Sequence, residues 1–214
     1  MFLKRKVEFN MILDTPVKIV LLGESTTGKS ALFHKLNTLT ESDYQFNKKH
    51  CATDNFDFNR LQINTSCGIA SIDLWDTAGQ ENKGGLLRDA YLKGADGVLL
   101  LYDVSNQATI ANLSKWMQQI KRVAPYVPIA VIGNKADTID DIQRCDTVRL
   151  RECNLQRDIG HNKIKNFLIS IKEDTYIKIF NSWTQDIITT EQGCLVGLEY
   201  ILATIYKQPM TIIY

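Results

Sequence analysis

A glycine-rich segment near the start of the chain carries the first residues that could do chemistry. Two glycines with four residues between them are followed by lysine and serine, in the order Gly23-Glu24-Ser25-Thr26-Thr27-Gly28-Lys29-Ser30-Ala31. Glycine lets a backbone turn tightly and approach a ligand, and the N–H groups at a helix N-terminus attract anions. The lysine adds a mobile positive charge, and the serine hydroxyl is a hard oxygen ligand suited to Mg²⁺. The spacing therefore predicts a loop that binds phosphate groups, with Ser30 at a metal ion.

A second polar segment, Asp76-Thr77-Ala78-Gly79-Gln80-Glu81, directly follows a predicted strand that ends at Trp75. The Asp76 carboxylate can support Mg²⁺ directly or through water, and the Gly79 N–H can approach a terminal phosphate. The Gln80 amide both donates and accepts hydrogen bonds, so it can orient a water molecule that attacks that phosphate. Because glutamine is a poor base, its role is positional. We therefore expect slow hydrolysis unless a partner supplies an arginine, which is worth ~10³–10⁵ in rate.

The third segment, Asn134-Lys135-Ala136-Asp137, has side chains suited to reading one nucleobase. The Asp137 carboxylate can accept hydrogen bonds from both the N1–H and the exocyclic amine of guanine, whereas adenine lacks that pair of donors. With the wrong base the carboxylate would be left unpaired, which is the source of discrimination. Asn134 can tie this segment to the phosphate-binding loop, and the stem of Lys135 can lie on the flat face of the base. The three segments together predict a guanine-nucleotide site.

The first and third of these segments each follow a short apolar run, which is typical of buried parallel strands. Alternating apolar and polar residues add a two-stranded hairpin, and apolar residues at helical spacing indicate helices between the strands. We therefore expect an α/β fold with a mostly parallel six-stranded sheet and helices on both faces. The predicted strands are residues 17–22, 56–63, 68–75, 98–102, 129–133 and 167–169, and the predicted helices are 30–36, 109–123 and 192–206.

The length of 214 residues suits one domain with short additions. We expect an N-terminal extension at residues 1–16 and a nucleotide-binding domain at 17–207. A stretch at 175–191, between the last predicted strand and the last predicted helix, reads as an insertion in that domain. Residues 208–214 are expected to form a short C-terminal tail.

The composition argues against several classes of protein. The chain carries 25 basic and 24 acidic residues, for a formal net charge of +1, so nucleic acid is not expected as a partner. Its five cysteines form no C-x-x-C pair, which favours a reducing compartment over a disulfide framework. No apolar run approaches the ~20 residues that a membrane helix needs, and no terminal cysteine offers a site for a covalent lipid anchor. We expect a monomer inside the cell, in the cytoplasm, with the nucleus left open.

Together these residues resemble the Ras superfamily of small GTPases, almost continuously over residues 17–137. The resemblance implies the P-loop small GTPase fold, with GTP or GDP and Mg²⁺ as ligands. It also implies that Thr53 binds Mg²⁺ and the terminal phosphate of GTP, and that Phe46 packs its ring against guanine. Ser170-Ile171-Lys172 resembles the last base-binding loop of the family, with isoleucine in place of an alanine.

The resemblance also bears on the branch and on the way such a protein acts. Residues 46–53 and 75–91 resemble the Ran branch most and the Rab branch next. Members of these branches are molecular switches in intracellular transport. Two segments near the terminal phosphate are held in the GTP state and relax after hydrolysis, and partners read the difference. The expected partners are therefore an exchange factor, an activating protein and effectors.

Two alternatives stay open on the residues alone. One is a P-loop enzyme that transfers phosphate to a small molecule, although the guanine motif and Gln80 favour water as the acceptor. The other is a nucleotide-locked binding module with little or no turnover. Three departures from the family pattern are compatible with the second alternative: His50 stands where a tyrosine is usual, Thr26 stands where glycine or another small residue is common, and residues 175–191 read as an insertion.

Overall fold

The computed structural model describes residues 12–38, 56–77, 85–140, 164–181 and 186–213. The strands in these ranges are β1 (Ile12–Gly23), β2 (Phe56–Thr65), β3 (Gly68–Thr77), β4 (Gly97–Asp103), β5 (Ile129–Asn134), β6 (Ile164–Ser170), β7 (Thr175–Asn181) and β8 (Asp186–Glu191). They form one sheet in the spatial order β2-β3-β1-β4-β5-β6-β7-β8. From β1 to β6 the pairing is parallel except for the β2–β3 hairpin. The predicted six-stranded, mostly parallel sheet is thus confirmed.

Helices connect most of these strands. Within the described ranges they are α1 (Lys29–Asn37), α2 (Gly85–Leu92), α3 (Gln107–Ala111), α4 (Leu113–Val123) and α5 (Val196–Tyr206), with a short 3₁₀ turn at Ala136–Thr138. Local sequence explains their limits: the Asn106 side chain, for example, caps α3 by accepting a hydrogen bond from the Ala108 N–H at 3.0 Å. None of these described helices has the length and apolar character that crossing a membrane requires.

The sheet is covered on both faces because successive residues of a strand point to opposite sides. Ile19 and Leu21 of β1 pack in a core with α1 and α5, whereas Val20 and Leu22 pack in a second core with α4. All four side chains are buried. Burying an apolar side chain of this size contributes about 1.5–3 kcal/mol, so the central strands anchor both layers. The predicted placement of helices on both faces is confirmed.

The first strand is longer than predicted, because β1 begins at Ile12 instead of residue 17. Its pairing with β3 shifts register between Leu13 and Val17. Pro16 lies within this shift, and proline has no N–H to donate to a neighbouring strand. The predicted extension at residues 1–16 therefore ends in a strand, and the remainder of that extension lies outside the described residues.

The predicted insertion at residues 175–191 supplies two strands, so β6 is not the last strand. β7 pairs antiparallel with β6, and β8 pairs antiparallel with β7 at the outside of the sheet. Asp174 forms the base of this hairpin with a left-handed backbone (φ 52°). Its backbone oxygen accepts a hydrogen bond from the Gly193 N–H at 3.1 Å, and its carboxylate lies 3.0 Å from the Lys35 Nζ of α1. The hairpin is therefore anchored to both α1 and the segment that leads into α5.

The residues after α5, here called the tail segment (residues 208–213), double back onto the turn between β2 and β3. The Ser66 N–H donates to the Thr211 backbone oxygen at 2.8 Å, and Thr65 and Ile212 form an antiparallel bridge. The Ile212 side chain is 5% exposed. The tail segment thus packs as part of the domain, with backbone hydrogen bonds and an apolar side chain holding it in place.

Replacement of Ile212 by alanine tests this attachment. We expect Ile212→Ala to lower the free energy of unfolding by about 2 kcal/mol, since it removes buried apolar atoms. Urea unfolding of the purified variant measures the loss. The matched control is the neighbouring Ile213→Ala, because Ile213 is 52% exposed and exposed substitutions change stability by about 0.5 kcal/mol or less. Equal losses in the two variants would contradict the docked position of the tail segment.

Candidate nucleotide-binding site

The predicted site residues meet at one edge of the sheet, where the parallel strands end. The register pairs Leu21 with Asp76, Leu101 with Gly23 and Asp103 with Asn134. The phosphate-binding loop therefore leaves β1 beside the ends of β3 and β4, and the base-reading segment leaves β5 one strand further along. Such a carboxyl edge is the usual location of ligand sites in open α/β sheets.

The two glycines of the loop occupy positions that exclude any other residue. Gly23 has φ 138°, and a Cβ there would lie 2.1 Å from the Leu101 backbone oxygen. Gly28 has φ 100°, and a Cβ there would lie 2.3 Å from the Asn134 Nδ2. Both backbones are in the region that favours glycine, and both have a neighbour in the space of a side chain. The close approach of Gly28 to Asn134 joins the loop to the base-reading segment.

Thr26 has an unusual backbone conformation at the exposed middle of the loop. Its φ is 64°, in the left-handed region that β-branched residues rarely adopt. Such a conformation costs of order 1–3 kcal/mol and persists only where the surroundings impose it. The next residue supplies one such contact, because the Thr27 hydroxyl is buried and donates to the Glu24 backbone oxygen at 2.9 Å. The loop is therefore strained at the position where the sequence departs from the family pattern.

The loop lysine lies across its own loop. Lys29 is the first residue of α1 and is 5% exposed, and its Nζ donates to the Glu24 backbone oxygen at 2.7 Å. Gly28 precedes the helix and has no side chain to cover the first N–H groups of α1. The ammonium group and the helix N-terminus thus both favour an anion at this place. Ser25 and Ala31 lie on either side of this region, in the loop and in the first turn of α1.

Asn134 connects the two halves of the site through its buried amide. The Nδ2 group donates to the Thr27 backbone oxygen at 3.0 Å, and the Oδ1 atom accepts from the Ile171 N–H at 3.1 Å. Asn134 is 4% exposed. A buried amide with both ends bonded fixes its neighbours, because breaking either bond would leave a polar group buried without a partner. The phosphate-binding loop and the 170–172 segment are therefore held at a set distance.

The Asp137 carboxylate is held by the segment that follows β6. Its Oδ1 atom accepts a hydrogen bond from the Ser170 hydroxyl at 2.7 Å, and its Oδ2 atom lies 3.4 Å from the Lys172 Nζ. The Ser170 hydroxyl also accepts from the Glu173 N–H at 3.2 Å. Each carboxylate oxygen has further lone pairs, so Asp137 can still accept from a base. The structure thus brings Asp137 and the 170–172 segment together.

Lys135 is oriented by a carboxylate that the sequence analysis did not select. Its Nζ lies 2.6 Å from Asp103 Oδ2, at the end of β4, and its own backbone is left-handed (φ 65°). Burial by itself raises the pKa of Asp103, but hydrogen bonds from Lys135 and Ser105 outweigh burial and hold that pKa below its usual value. One signal could have identified Asp103: it directly follows a buried strand, as Asp76 and the guanine motif do.

Ser30 and Asp76 are the described residues that could hold Mg²⁺. Ser30 lies in the first turn of α1, and Asp76 is completely buried near the end of β3. The adjacent Thr77 hydroxyl donates to the Leu21 backbone oxygen at 2.7 Å and holds β3 against β1. A hydroxyl and a carboxylate are hard oxygen ligands, and Mg²⁺ commonly takes one or two protein ligands with phosphates and water completing its shell. These residues fit Mg²⁺ bound with a nucleotide.

Four predicted site residues lie outside the described residues: Phe46, Thr53, Gly79 and Gln80. The same holds for His50. The roles assigned to them from the sequence therefore stay predictions. The elements that flank them in sequence, β2, β3 and α2, are described, and Phe56 at the start of β2 pairs with Thr77 at the end of β3.

One comparison with known proteins bears on this geometry. A family model described as "Ras family" matches residues 18–189. The matched range begins in β1 and ends in β8, and it contains every site residue discussed above. It therefore includes the β7–β8 hairpin as well as the six strands of the parallel sheet.

A pair of glycine variants tests whether the phosphate-binding loop requires its contact with Asn134. In Gly28→Ala the new Cβ meets the Asn134 amide, so we expect the thermal stabilisation by added Mg²⁺ and GDP to be lost. Gly94 is the matched control: its φ is 69° but nothing lies within 4 Å of a Cβ there. Gly94→Ala should lower the melting temperature in the absence of nucleotide and keep the shift on adding GDP. A normal GDP-induced shift in Gly28→Ala would remove this contact from the site.

Proposed function

The chain belongs to the Ras family, and we propose that it is a guanine-nucleotide switch that regulates intracellular transport through its partners. In this proposal it binds GTP or GDP with Mg²⁺, hydrolyses GTP slowly and acts in the manner of the Ran or Rab branch. The observation that carries the proposal is the Asn134 amide, which joins the phosphate-binding loop to the segment beside Asp137. A site built in this way suits a ligand with phosphates at one end and a base at the other.

Each described residue of the site has a role in holding that ligand. The loop N–H groups and Lys29 bind the phosphates, and the Asp137 carboxylate accepts from the guanine N1–H and amine. Lys135 is held over the site by Asp103, so its stem can cover one face of the base. Ser30 and Asp76 would hold Mg²⁺, which when bound neutralises charge on the outer phosphates.

Hydrolysis in this proposal depends on Gln80, which orients the attacking water by its amide. Thr53 and the Gly79 N–H bind the terminal phosphate in the GTP state, so removal of that phosphate releases both segments. An activating partner contributes an arginine, because Arg60 and Arg122, the arginines whose side chains the structure describes, are bonded to Asp73 and Asp89 instead. An exchange factor then replaces GDP.

Partners are proposed to read the nucleotide state at an exposed aromatic surface, formed by Phe56, Phe58, Trp75 and Tyr91. The Trp75 ring lies 5.4 Å from that of Phe56 and 5.1 Å from that of Phe58, between ring centroids, and Tyr91 lies 5.5 Å from Phe56. Phe56 and Phe58 are 43% and 45% exposed. Aromatic residues exposed together are typical of protein interfaces. This surface is close in sequence to the two segments proposed to change with the nucleotide, residues 46–54 and 79–91, since Phe56 follows the first by two positions and Tyr91 ends the second.

A second candidate function is a nucleotide-locked module that binds GTP with little or no turnover. The left-handed backbone of Thr26 favours it, because strain in the phosphate-binding loop alters the position of the N–H groups that hold the nucleotide. Measurement of phosphate release in a single turnover separates the two functions. Retention of intact GTP through a long incubation, with and without cell extract as a source of activating protein, would favour the locked module.

Base recognition is tested by Asp137→Asn. The new amide has one acceptor and one donor group, so it can accept from the xanthine N1–H and donate to its 2-oxo group. It cannot accept from both the N1–H and the amine of guanine, because its NH₂ group would face one of those donors. We expect GTP affinity to fall by about 10²-fold or more and xanthosine triphosphate to be preferred, as measured by competition against a fluorescent nucleotide. Asp140→Asn is the control, because Asp140 is exposed and lies after the base-reading segment. An unchanged base preference in Asp137→Asn would count against the guanine site.

The transport role is tested by capture of partners from host-cell extract. The bait proteins are Gln80→Leu loaded with GTP, in which stimulated hydrolysis should be lost, and Ser30→Asn held with GDP. Selective capture of nuclear transport receptors by the GTP form would support a Ran-like role in the cytoplasm and nucleus. Selective capture of membrane tethers or motors would support a Rab-like role. Capture of the same proteins by both forms would contradict the switch and favour the locked module.

A further inference from the structure

Glu24 is the acidic residue of the phosphate-binding loop, and its side chain is bonded to a distant helix. Its Oε1 atom accepts a hydrogen bond from the Trp116 Nε1 at 3.0 Å. Trp116 belongs to α4, on the face of the sheet that carries the second core. No sequence motif links these two residues, which are 92 positions apart.

The donor in this bond comes from a fixed part of the molecule. Trp116 is 4% exposed and packs in the same core as Leu22, Leu113 and Met117. An indole has a single polar hydrogen, and the packing of the ring sets the direction in which that hydrogen points. The phosphate-binding loop is therefore hydrogen-bonded to a side chain whose position is fixed by core packing outside the loop.

The acceptor is the residue around which the loop is organised. The Glu24 backbone oxygen accepts from the Lys29 Nζ at 2.7 Å and from the Thr27 hydroxyl at 2.9 Å. Its carboxylate carries a negative charge into a loop that binds anions, and like charges repel strongly where water is scarce. The bond to Trp116 directs that charge towards α4.

We propose that Trp116 is a positioning residue for the phosphate-binding loop, which holds the Glu24 carboxylate towards α4 and thereby slows nucleotide release. The effect is larger for GTP than for GDP, because GTP carries one more phosphate and more negative charge. Trp116 itself contacts neither the nucleotide nor the reacting atoms in this role. The inference rests on the proposed function as a guanine-nucleotide switch.

The experiment measures release of fluorescent GDP and of a fluorescent, non-hydrolysable GTP analogue in excess Mg²⁺. Trp116→Phe keeps an aromatic ring and removes the N–H donor. We expect release of the GTP analogue to accelerate about tenfold, as for loss of a hydrogen bond to a charged group, and release of GDP to accelerate less. A general structural role would change both rates by the same factor.

Two comparisons separate the hydrogen bond from the loss of core volume. Met117→Ala leaves a cavity in the same core, on the same helix, without removing the donor, and its release rates should equal those of the unmodified protein. In a Glu24→Ala background, which lacks the carboxylate, Trp116→Phe should cause no further change in either rate. Full additivity of the two substitutions, or equal acceleration of GDP and GTP-analogue release, would overturn the proposal.

A measurement on the unmodified protein keeps the proposal testable if Trp116→Phe does not fold. The indole N–H of Trp116, observed by NMR with ¹⁵N-labelled tryptophan, should be protected from hydrogen exchange in the GDP and GTP-analogue complexes. Rapid exchange in both complexes would overturn the inference alone. Failure of the unmodified protein to bind either nucleotide would instead overturn the proposed function, and the inference with it.

Discussion

The buried amide of Asn134 is the interaction on which the rest of the site depends. It bonds the Thr27 backbone oxygen on one side and the Ile171 N–H on the other, so three separate loops share one rigid centre. The amide fits only because Gly28 lacks a Cβ. The glycine at position 28 is thus required by the Asn134 side chain, which comes from another loop. A change at either residue alters both the phosphate end and the base end of the site.

The charges near the proposed base site are arranged in pairs. Asp103 is bonded to Lys135, and Asp137 lies beside Lys172. Paired in this way, each lysine orients the carboxylate that it contacts and connects two separate segments of the chain. The same principle appears at the hairpin base, where Asp174 contacts Lys35 of α1. An aspartate–lysine pair thus recurs at three places where separate segments of the chain meet.

The sequence allowed the parallel sheet and the position of its motifs to be predicted, because two motifs follow continuous apolar runs, the third follows the alternating residues 68–75, and parallel strands end at one edge. It did not allow β7 and β8 to be predicted, because residues 175–191 have neither a long apolar run nor a regular alternation of apolar and polar residues. The early start of β1 differs from the predicted start at residue 17 because Pro16, a residue that commonly interrupts strands, lies at a register shift inside the strand. Long-range side-chain bonds such as Asp103–Lys135 follow from topology and cannot be derived from local pattern.

The tail segment changes how the domain would respond to mechanical load. A force that pulls on these residues is first resisted by their hydrogen bonds to the β2–β3 turn and by the buried side chain of Ile212. Only when these contacts break does the force reach α5. β2 and β3 run from that turn towards the edge of the sheet where Asp76 lies. Tension applied at the tail segment is therefore delivered along two strands to the nucleotide end of the molecule, about 30 Å away for strands of ten residues.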